Sequence, residues 1–201
     1  MTGAAGREVE IKLRLEEAAP GRRLLEAAGF HVVKPRVFEA NELFDTAEGR
    51  LRAAGSLVRL RQAGQQAVLT FKGPATYERH KSREELEVEL SDARAATGIL
   101  ARLGFEPVFR YQKYRTEYAA PGESGVAHLD ETPVGDFLEL EGPPEWIDRS
   151  ARRLGFTEAD YITASYATLY VDWCRARGLA PGHMEFGRGT PRPCHDRRTT
   201  P

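Results

Sequence analysis

The sequence predicts an α+β fold: an eight-stranded antiparallel β-barrel with a charged lumen and amphipathic helices packed outside. Three observations predict it. Eight segments alternate apolar and polar residues with the period of a strand. Four segments carry apolar residues at helical spacing, with a glycine at or just after each end. Like-signed charges also repeat on single strand faces, which costs free energy unless counter-charges sit between them, as they can inside a closed barrel.

The strand segments are 8–15, 39–45, 56–62, 67–71, 83–90, 108–118, 125–130 and 136–141. Turn signals at Ala63-Gly64-Gln65, Lys72-Gly73-Pro74, Pro121-Gly122-Glu123 and Pro133-Val134-Gly135 separate several of them. The helical segments are 20–29, 92–104, 144–155 and 158–177. Leu24, Leu25 and Ala28 mark the first, and Ala96, Ile99, Leu100 and Leu103 the second, which Ser91 or Asp92 caps. Trp146, Ile147, Ala151 and Leu154 mark the third; Tyr161, Ile162, Tyr166, Leu169, Tyr170 and Trp173 mark the fourth. Three times a strand with Glu-x-Glu leads into a helix that stops at Gly-Phe: Gly29-Phe30, Gly104-Phe105 and Gly155-Phe156. This recurrence suggests a repeated strand–helix unit.

In 201 residues with 41% hydrophobic content there is enough apolar surface for one sizeable core. Residues 1–177 form that single domain, and 178–201, rich in Pro, Gly and Arg, reads as a disordered tail. Lys and Arg number 29 against 30 Asp and Glu, so bulk charge speaks against nucleic-acid binding. No apolar run spans a bilayer, and the N-terminal residues lack a signal-peptide core, so a cytoplasmic protein without membrane association is expected. Cys174 and Cys194 make no disulfide framework, and His183, Cys194 and His195 do not make a metal site in a flexible tail.

Strand parity sorts the charges. Glu8, Glu10, Lys12 and Arg14 oppose Val9, Ile11, Leu13 and Leu15. Arg59 and Arg61 oppose Val58 and Leu60, and Lys72 opposes Phe71. Arg83, Glu85, Glu87 and Glu89 share a face, as do Lys113 and Arg115, His128 and Asp130, and Glu139 and Glu141. The apolar faces should lie under the four helices. Cations in such a lumen suit a polyanion, Arg offering a rigid fork for phosphate oxygens. Clustered carboxylates suit hard cations, Mg²⁺ or Mn²⁺. Both together suit a metal-bound polyphosphate.

The motifs resemble the CYTH superfamily, the triphosphate tunnel metalloenzymes. Glu8-Val9-Glu10-Ile11-Lys12 is similar to that family's N-terminal Glu-x-Glu-x-Lys. The likeness continues in order through Phe44-Asp45-Thr46, Leu51-Arg52, Leu57-Val58-Arg59-Leu60-Arg61, Thr70-Phe71-Lys72-Gly73-Pro74 and Arg83-Glu84-Glu85-Leu86-Glu87. It ends with Lys113-Tyr114-Arg115, His128-Leu129-Asp130, 135–141 and Ser165-Tyr166. The resemblance implies an eight-stranded tunnel that binds a triphosphate with divalent metal. By matched motif, Lys12, Arg59, Arg61, Lys72, Lys113 and Arg115 would bind phosphates. Glu8, Glu10, Glu85, Glu87, Asp130, Glu139 and Glu141 would face metal, and Glu10, Lys12 and Lys72 would be catalytic. One departure matters: many members carry a tyrosine just before Asp-Thr, and residues 41–46 here have none. That weakens a tyrosine–lysine base and thiamine triphosphate as substrate.

The resulting expectation is a metal-dependent triphosphatase, a hydrolase of phosphoanhydrides, whose partner is a small molecule such as tripolyphosphate or ATP. The alternative is a class IV adenylate cyclase making cyclic AMP and pyrophosphate. A non-catalytic polyphosphate-binding module is a third reading, against which the nearly complete charge set argues. The chain is compatible with a homodimer.

Overall fold

The structure is a computed structural model that describes residues 6–187. Its strands are β1 (Gly6–Leu15), β2 (His31–Thr46), β3 (Leu57–Ala63), β4 (Gln66–Lys72), β5 (Thr76–Tyr77), β6 (Lys81–Leu90), β7 (Phe105–Ala119), β8 (Val126–Thr132) and β9 (Gly135–Glu141). Its helices are α1 (Ala18–Ala27), α2 (Arg50–Ala53), α3 (Ala93–Arg102), α4 (Pro144–Arg153) and α5 (Tyr166–Arg175). All strand pairs are antiparallel, in the order β1-β9-β8-β7-β2-β3-β4-β6. The ring closes where β6 meets β1, from Gly6↔Glu85 to Glu10↔Lys81. Eight strands therefore close the barrel, and β5 adds a two-residue pairing to Lys81 and Ser82. Among the described residues, no helix is long and apolar enough to cross a membrane.

Parity decides which side of the wall each residue occupies. Ile11 and Leu13 of β1, Leu129 of β8, and Leu138 and Leu140 of β9 point outward into the main core. There they meet Leu25 of α1 and Trp146 and Ile147 of α4. The three Gly-Phe stops work alike. Gly29, Gly104 and Gly155 take φ near +82°, +86° and +84°, which ends each helix in the left-handed region. Phe30, Phe105 and Phe156 then turn back into apolar clusters. In each case a strand feeds the helix, β1 into α1, β6 into α3 and β9 into α4, as the recurrence suggested.

Four features differ from expectation. First, β2 begins at His31 rather than near residue 39. Its early half is irregular, with register shifts around Lys34 to Val37, where Pro35 has no N–H for the ladder. Second, the segment 158–177 is not one helix. A Thr157–Asp160 capping box closes a single 3-10 turn, and the chain then runs extended until Ser165 caps α5. The extended stretch pairs with β1: Lys12 N–H donates to Ile162 O at 2.8 Å, and Ile162 N–H donates to Lys12 O at 2.9 Å. Ile162 thus continues the β1 edge where β6 stops opposite Glu10.

Third, the helices cover only part of the barrel. Their main contacts are with β1, β2, β3, β7, β8 and β9, while Leu86 and Val88 on the outer face of β6 remain 40% and 53% exposed. Fourth, residues 178–187, read from composition as part of the tail, lie against the barrel. Met184 is buried against Tyr111, Phe137 and Tyr166, and its backbone bridges β7 through Gln112 N–H to Met184 O (2.9 Å) and Met184 N–H to Arg110 O (2.9 Å). His183 Nδ1 accepts the Arg110 N–H at 3.2 Å. Cys194, His195 and the rest of 188–201 lie outside the described residues. Cys174 is a buried free thiol on α5.

Candidate active site

The inward face of the barrel lines a cavity of about 470 Å³. β1 contributes Glu8, Glu10 and Lys12; β3 contributes Arg59 and Arg61; β4 contributes Lys72. Glu85 and Glu87 come from β6, Lys113 and Arg115 from β7, and Glu139 and Glu141 from β9. Six strands thus bring twelve of the thirteen expected residues to one space. Each gets there by alternation, since its sequence neighbours face outward.

Every cation in this set is met by acid. Lys12 Nζ lies 3.0 Å from both Glu10 Oε1 and Glu139 Oε2. Lys72 Nζ donates to both Glu8 oxygens, at 2.7 and 2.6 Å, and sits 3.0 Å from Glu85. Arg59 reaches Glu87 at 3.3 Å and Glu85 at 3.7 Å; Arg61 reaches Glu87 at 3.4 Å and Glu39 at 3.8 Å. Arg115 contacts Glu139 at 2.6 Å. Buried charges left unpaired would cost several kcal/mol each, about the effective penalty for desolvating an ion, so the lumen neutralises itself.

Asp130 is the residue whose placement differs from expectation. It is fully buried and does not line the cavity. Arg115 donates to it twice, Nε to Oδ1 at 2.7 Å and Nη2 to Oδ2 at 2.6 Å. Lys113 Nζ donates at 2.9 Å and the Tyr166 hydroxyl at 2.7 Å. With one bond to Oδ1 and three to Oδ2, Asp130 anchors the two β7 cations.

Asp45, from the Phe44-Asp45-Thr46 motif, is also structural. Its Oδ1 accepts the N–H groups of Thr46 and Leu51, both at 2.8 Å, and Oδ2 accepts that of Arg52 at 3.0 Å. These bonds build the short α2, which periodicity could not reveal in four residues.

The electrostatics follow from burial opposed by partners. Burial pushes the Glu10 carboxyl up, but Lys12, Lys81 and Lys72 outweigh it and the Glu139 charge, and hold it well below its usual range. Glu139 is low for the same reason: burial is overcome by Lys12, Arg115 and Lys113. Glu85 goes the other way, up to about 7, because burial and the nearby Glu8 charge exceed the pull of Lys72 and Arg59. Tyr166 is pushed well up by burial and by the Asp130 and Glu139 charges. Burial also raises Tyr111, yet Arg59 and Lys113 bring it below its usual value.

The cavity also takes in residues given no role from the sequence, Arg83 and His128 among them already on the charged faces by parity. Lys81, which pairs with Glu10, belongs to β6 two residues before the expected start. Arg83 lines the cavity, whereas Glu89 of the same parity is exposed. Glu39 and Tyr111 follow the alternation of their strands and were legible from it. Tyr166 enters the lumen only because the chain breaks helix at Ser165, where a serine N-cap was the available signal. His128 lies on the Asp130 face and also lines the cavity.

The acids can hold a cation. One ligand atom each from His128, Glu139 and Glu141 lies within 4.8 Å of the others, and oxygen donors with an imidazole suit a divalent ion.

Comparison with known proteins decides the family. The CYTH domain model matches residues 6–166. This chain belongs to the CYTH family. Two relatives of this CYTH protein are named as adenylate cyclases. The adenylate cyclase CyaB of Aeromonas hydrophila is 31% identical over 175 residues, covering 81% of this chain and 87% of the relative. A provisionally named adenylate cyclase of Methanocaldococcus jannaschii is 31% identical over 135 residues, covering 67% and 75%. The CYTH barrel also matches a solved Hippeastrum structure with a TM-score of 0.62 at 21% identity, covering 87% of this chain and 97% of that one. That protein is an adenylyl cyclase candidate described as having a dominant triphosphatase activity.

Proposed function

We propose that this CYTH protein is a divalent-metal-dependent enzyme that hydrolyses a triphosphate held inside the barrel, with Mg²⁺ or Mn²⁺ as cofactor. One observation carries the reading: each lumenal cation is already matched by a lumenal acid. A simple anion would strand the acids, and a simple cation would strand the lysines and arginines. A metal-bound polyphosphate satisfies both sets, since phosphate oxygens take the cations and the metal takes carboxylates.

In this reading Lys12, Arg59, Arg61, Lys72, Lys113 and Arg115 bind the phosphate chain. Glu8, Glu10, Glu85, Glu87, Glu139 and Glu141 face the metal, with His128 adjacent to the last two. The bound metal supplies Lewis-acid neutralisation of phosphate charge. Lys12 of β1 and Lys72 of β4, two strands along the ring, stabilise charge on the transferred phosphoryl group. Glu10, ionised between Lys12 and Lys81, orients the attacking water, whose proton passes to solvent as the anhydride P–O bond breaks and diphosphate leaves. Asp130 holds Arg115 and Lys113 in place and touches no substrate.

The cyclase reading is favoured by the names of the two relatives. The ribose 3′-hydroxyl would then attack the α-phosphate and pyrophosphate would leave. Product analysis distinguishes the two. The protein is incubated with tripolyphosphate or ATP and with Mg²⁺ or Mn²⁺. Orthophosphate release is the expected result. Cyclic AMP with pyrophosphate would establish the cyclase, and tight binding without turnover would leave a binding module.

A further inference from the structure

One row of side chains crosses five neighbouring strands. Lys12 of β1 pairs with Glu139 of β9, Glu139 with His128 of β8, His128 with Glu117 of β7, and Glu117 with Lys34 of β2. The row alternates in charge at both ends, with Lys12 3.0 Å from Glu139 and Lys34 2.9 Å from Glu117. At its centre is the His128 imidazole, 5% exposed. Its Nε2 lies 3.5 Å from Glu141 Oε2. Its Nδ1 is enclosed, has no hydrogen-bond partner and stands 4.0 Å from Glu117 Oε2. The ring is thus aimed at the Glu139–Glu141 pair by one nitrogen and at a fixed carboxylate by the other.

Charge pairing alone does not account for this corner. Glu139 is neutralised by Lys12 and Arg115. Among the described residues, Glu141 meets no lysine or arginine within ion-pair distance, and its neighbour is His128. A carboxylate without a cation beside a buried imidazole is an incomplete donor set.

We propose that His128 is a metal ligand of this site, binding through Nε2 beside Glu139 and Glu141, with Glu117 steering the ring through Nδ1–H. The inference rests on the metal-dependent reading above and deepens it. A carboxylate that accepts the second ring N–H fixes the tautomer and makes the ligating nitrogen more basic. Lys34 pairs with Glu117 on the Nδ1 side, and a closing movement from the present 4.0 Å would let the carboxylate accept that N–H. An imidazole in the set also changes the choice of ion. Mg²⁺ favours oxygen donors only, whereas Mn²⁺ accepts a nitrogen and binds such sites more tightly. The site is therefore expected to select Mn²⁺ over Mg²⁺.

The test is electron spin-echo modulation of Mn²⁺ bound to the full chain, beside Mn²⁺ and Mg²⁺ titrations followed by calorimetry. The wild type should show ¹⁴N coupling from a coordinated imidazole, and His128→Gln should lose it. That variant should bind Mn²⁺ at least about tenfold more weakly, with Mg²⁺ affinity nearly unchanged. Glu117→Gln should keep the nitrogen coupling while weakening Mn²⁺ by about tenfold. Should His128→Gln not fold, His128→Asn replaces it, and the wild-type spectrum is decisive by itself on nitrogen ligation. Bound Mn²⁺ without ¹⁴N coupling, or coupling that survives in the variant, overturns the role of His128 and leaves metal dependence standing. Failure of the wild type to bind either ion overturns both.

Discussion

Arg115 grips Asp130 in a two-pronged pair, Nε to Oδ1 at 2.7 Å and Nη2 to Oδ2 at 2.6 Å, across the β7–β8 seam. The same Nη2 also donates to Glu139 Oε1 at 2.6 Å, so the pair fixes the guanidinium beside the lumen. Removing Asp130 leaves Arg115 and Lys113 short of a buried counter-charge. Asp130→Ala should therefore cost about 3–5 kcal/mol. Denaturant unfolding measures it, and Asp130→Asn, which keeps the shape and some acceptors, should lose less.

The same pair sets an acid limit. Burial pushes Asp130 up, but Arg115 and Lys113 prevail and hold it well below its ordinary 3.8. A carboxyl depressed in the folded state binds fewer protons there than in the unfolded chain. Its stabilisation is complete above the unfolded value and is lost as pH falls from there toward the folded one. Glu139 acts in the same direction. Unfolding free energy should thus fall progressively as pH drops below about 5, and Asp130→Asn should flatten that slope.

Ile11 and Lys12 are adjacent in sequence and on opposite sides of the wall. Lys12→Ala should abolish turnover with a small change in melting temperature, because Glu10 keeps Lys81 and Glu139 keeps Arg115. Ile11→Asp should unfold the protein, since a carboxylate placed in the fully buried core under α1 and α4 costs several kcal/mol, of order 5. Paired melting curves and activity measurements check both.

Met184 is fully buried against Tyr111, Phe137 and Tyr166. Met184→Ala should cost about 2–5 kcal/mol, as for other buried large-to-small changes. Unchanged stability would mean that residues 182–186 only rest on β7.

Much of this site was legible because strand parity is a strict rule. Residues such as Arg59, Arg61, Glu139 and Glu141 reach the lumen simply by alternating with apolar neighbours. What stayed hidden depends on contacts between distant segments. Parity put Asp130 on the inner face but could not reveal that Tyr166, 36 residues away, would cover it. The break at Ser165 was masked because Tyr161, Ile162, Leu169 and Tyr170 also fit a helical stripe, and only pairing of Ile162 with Lys12 resolves it. The docking of Met184 was masked by the Pro- and Gly-rich residues around it, whose composition outweighs one buried side chain.

The most direct test of the central claim is calorimetric titration of tripolyphosphate into the Mn²⁺-loaded chain and its Arg59→Ala/Arg115→Ala variant. These two arginines stand on β3 and β7 and line the same cavity. The account predicts one tripolyphosphate per chain with the wild type and binding weakened at least about a hundredfold in the variant, since each arginine–phosphate contact is worth roughly 1.5–3 kcal/mol. Wild-type chain that binds no tripolyphosphate, or a folded variant that binds it equally well, would contradict a triphosphate held inside the barrel.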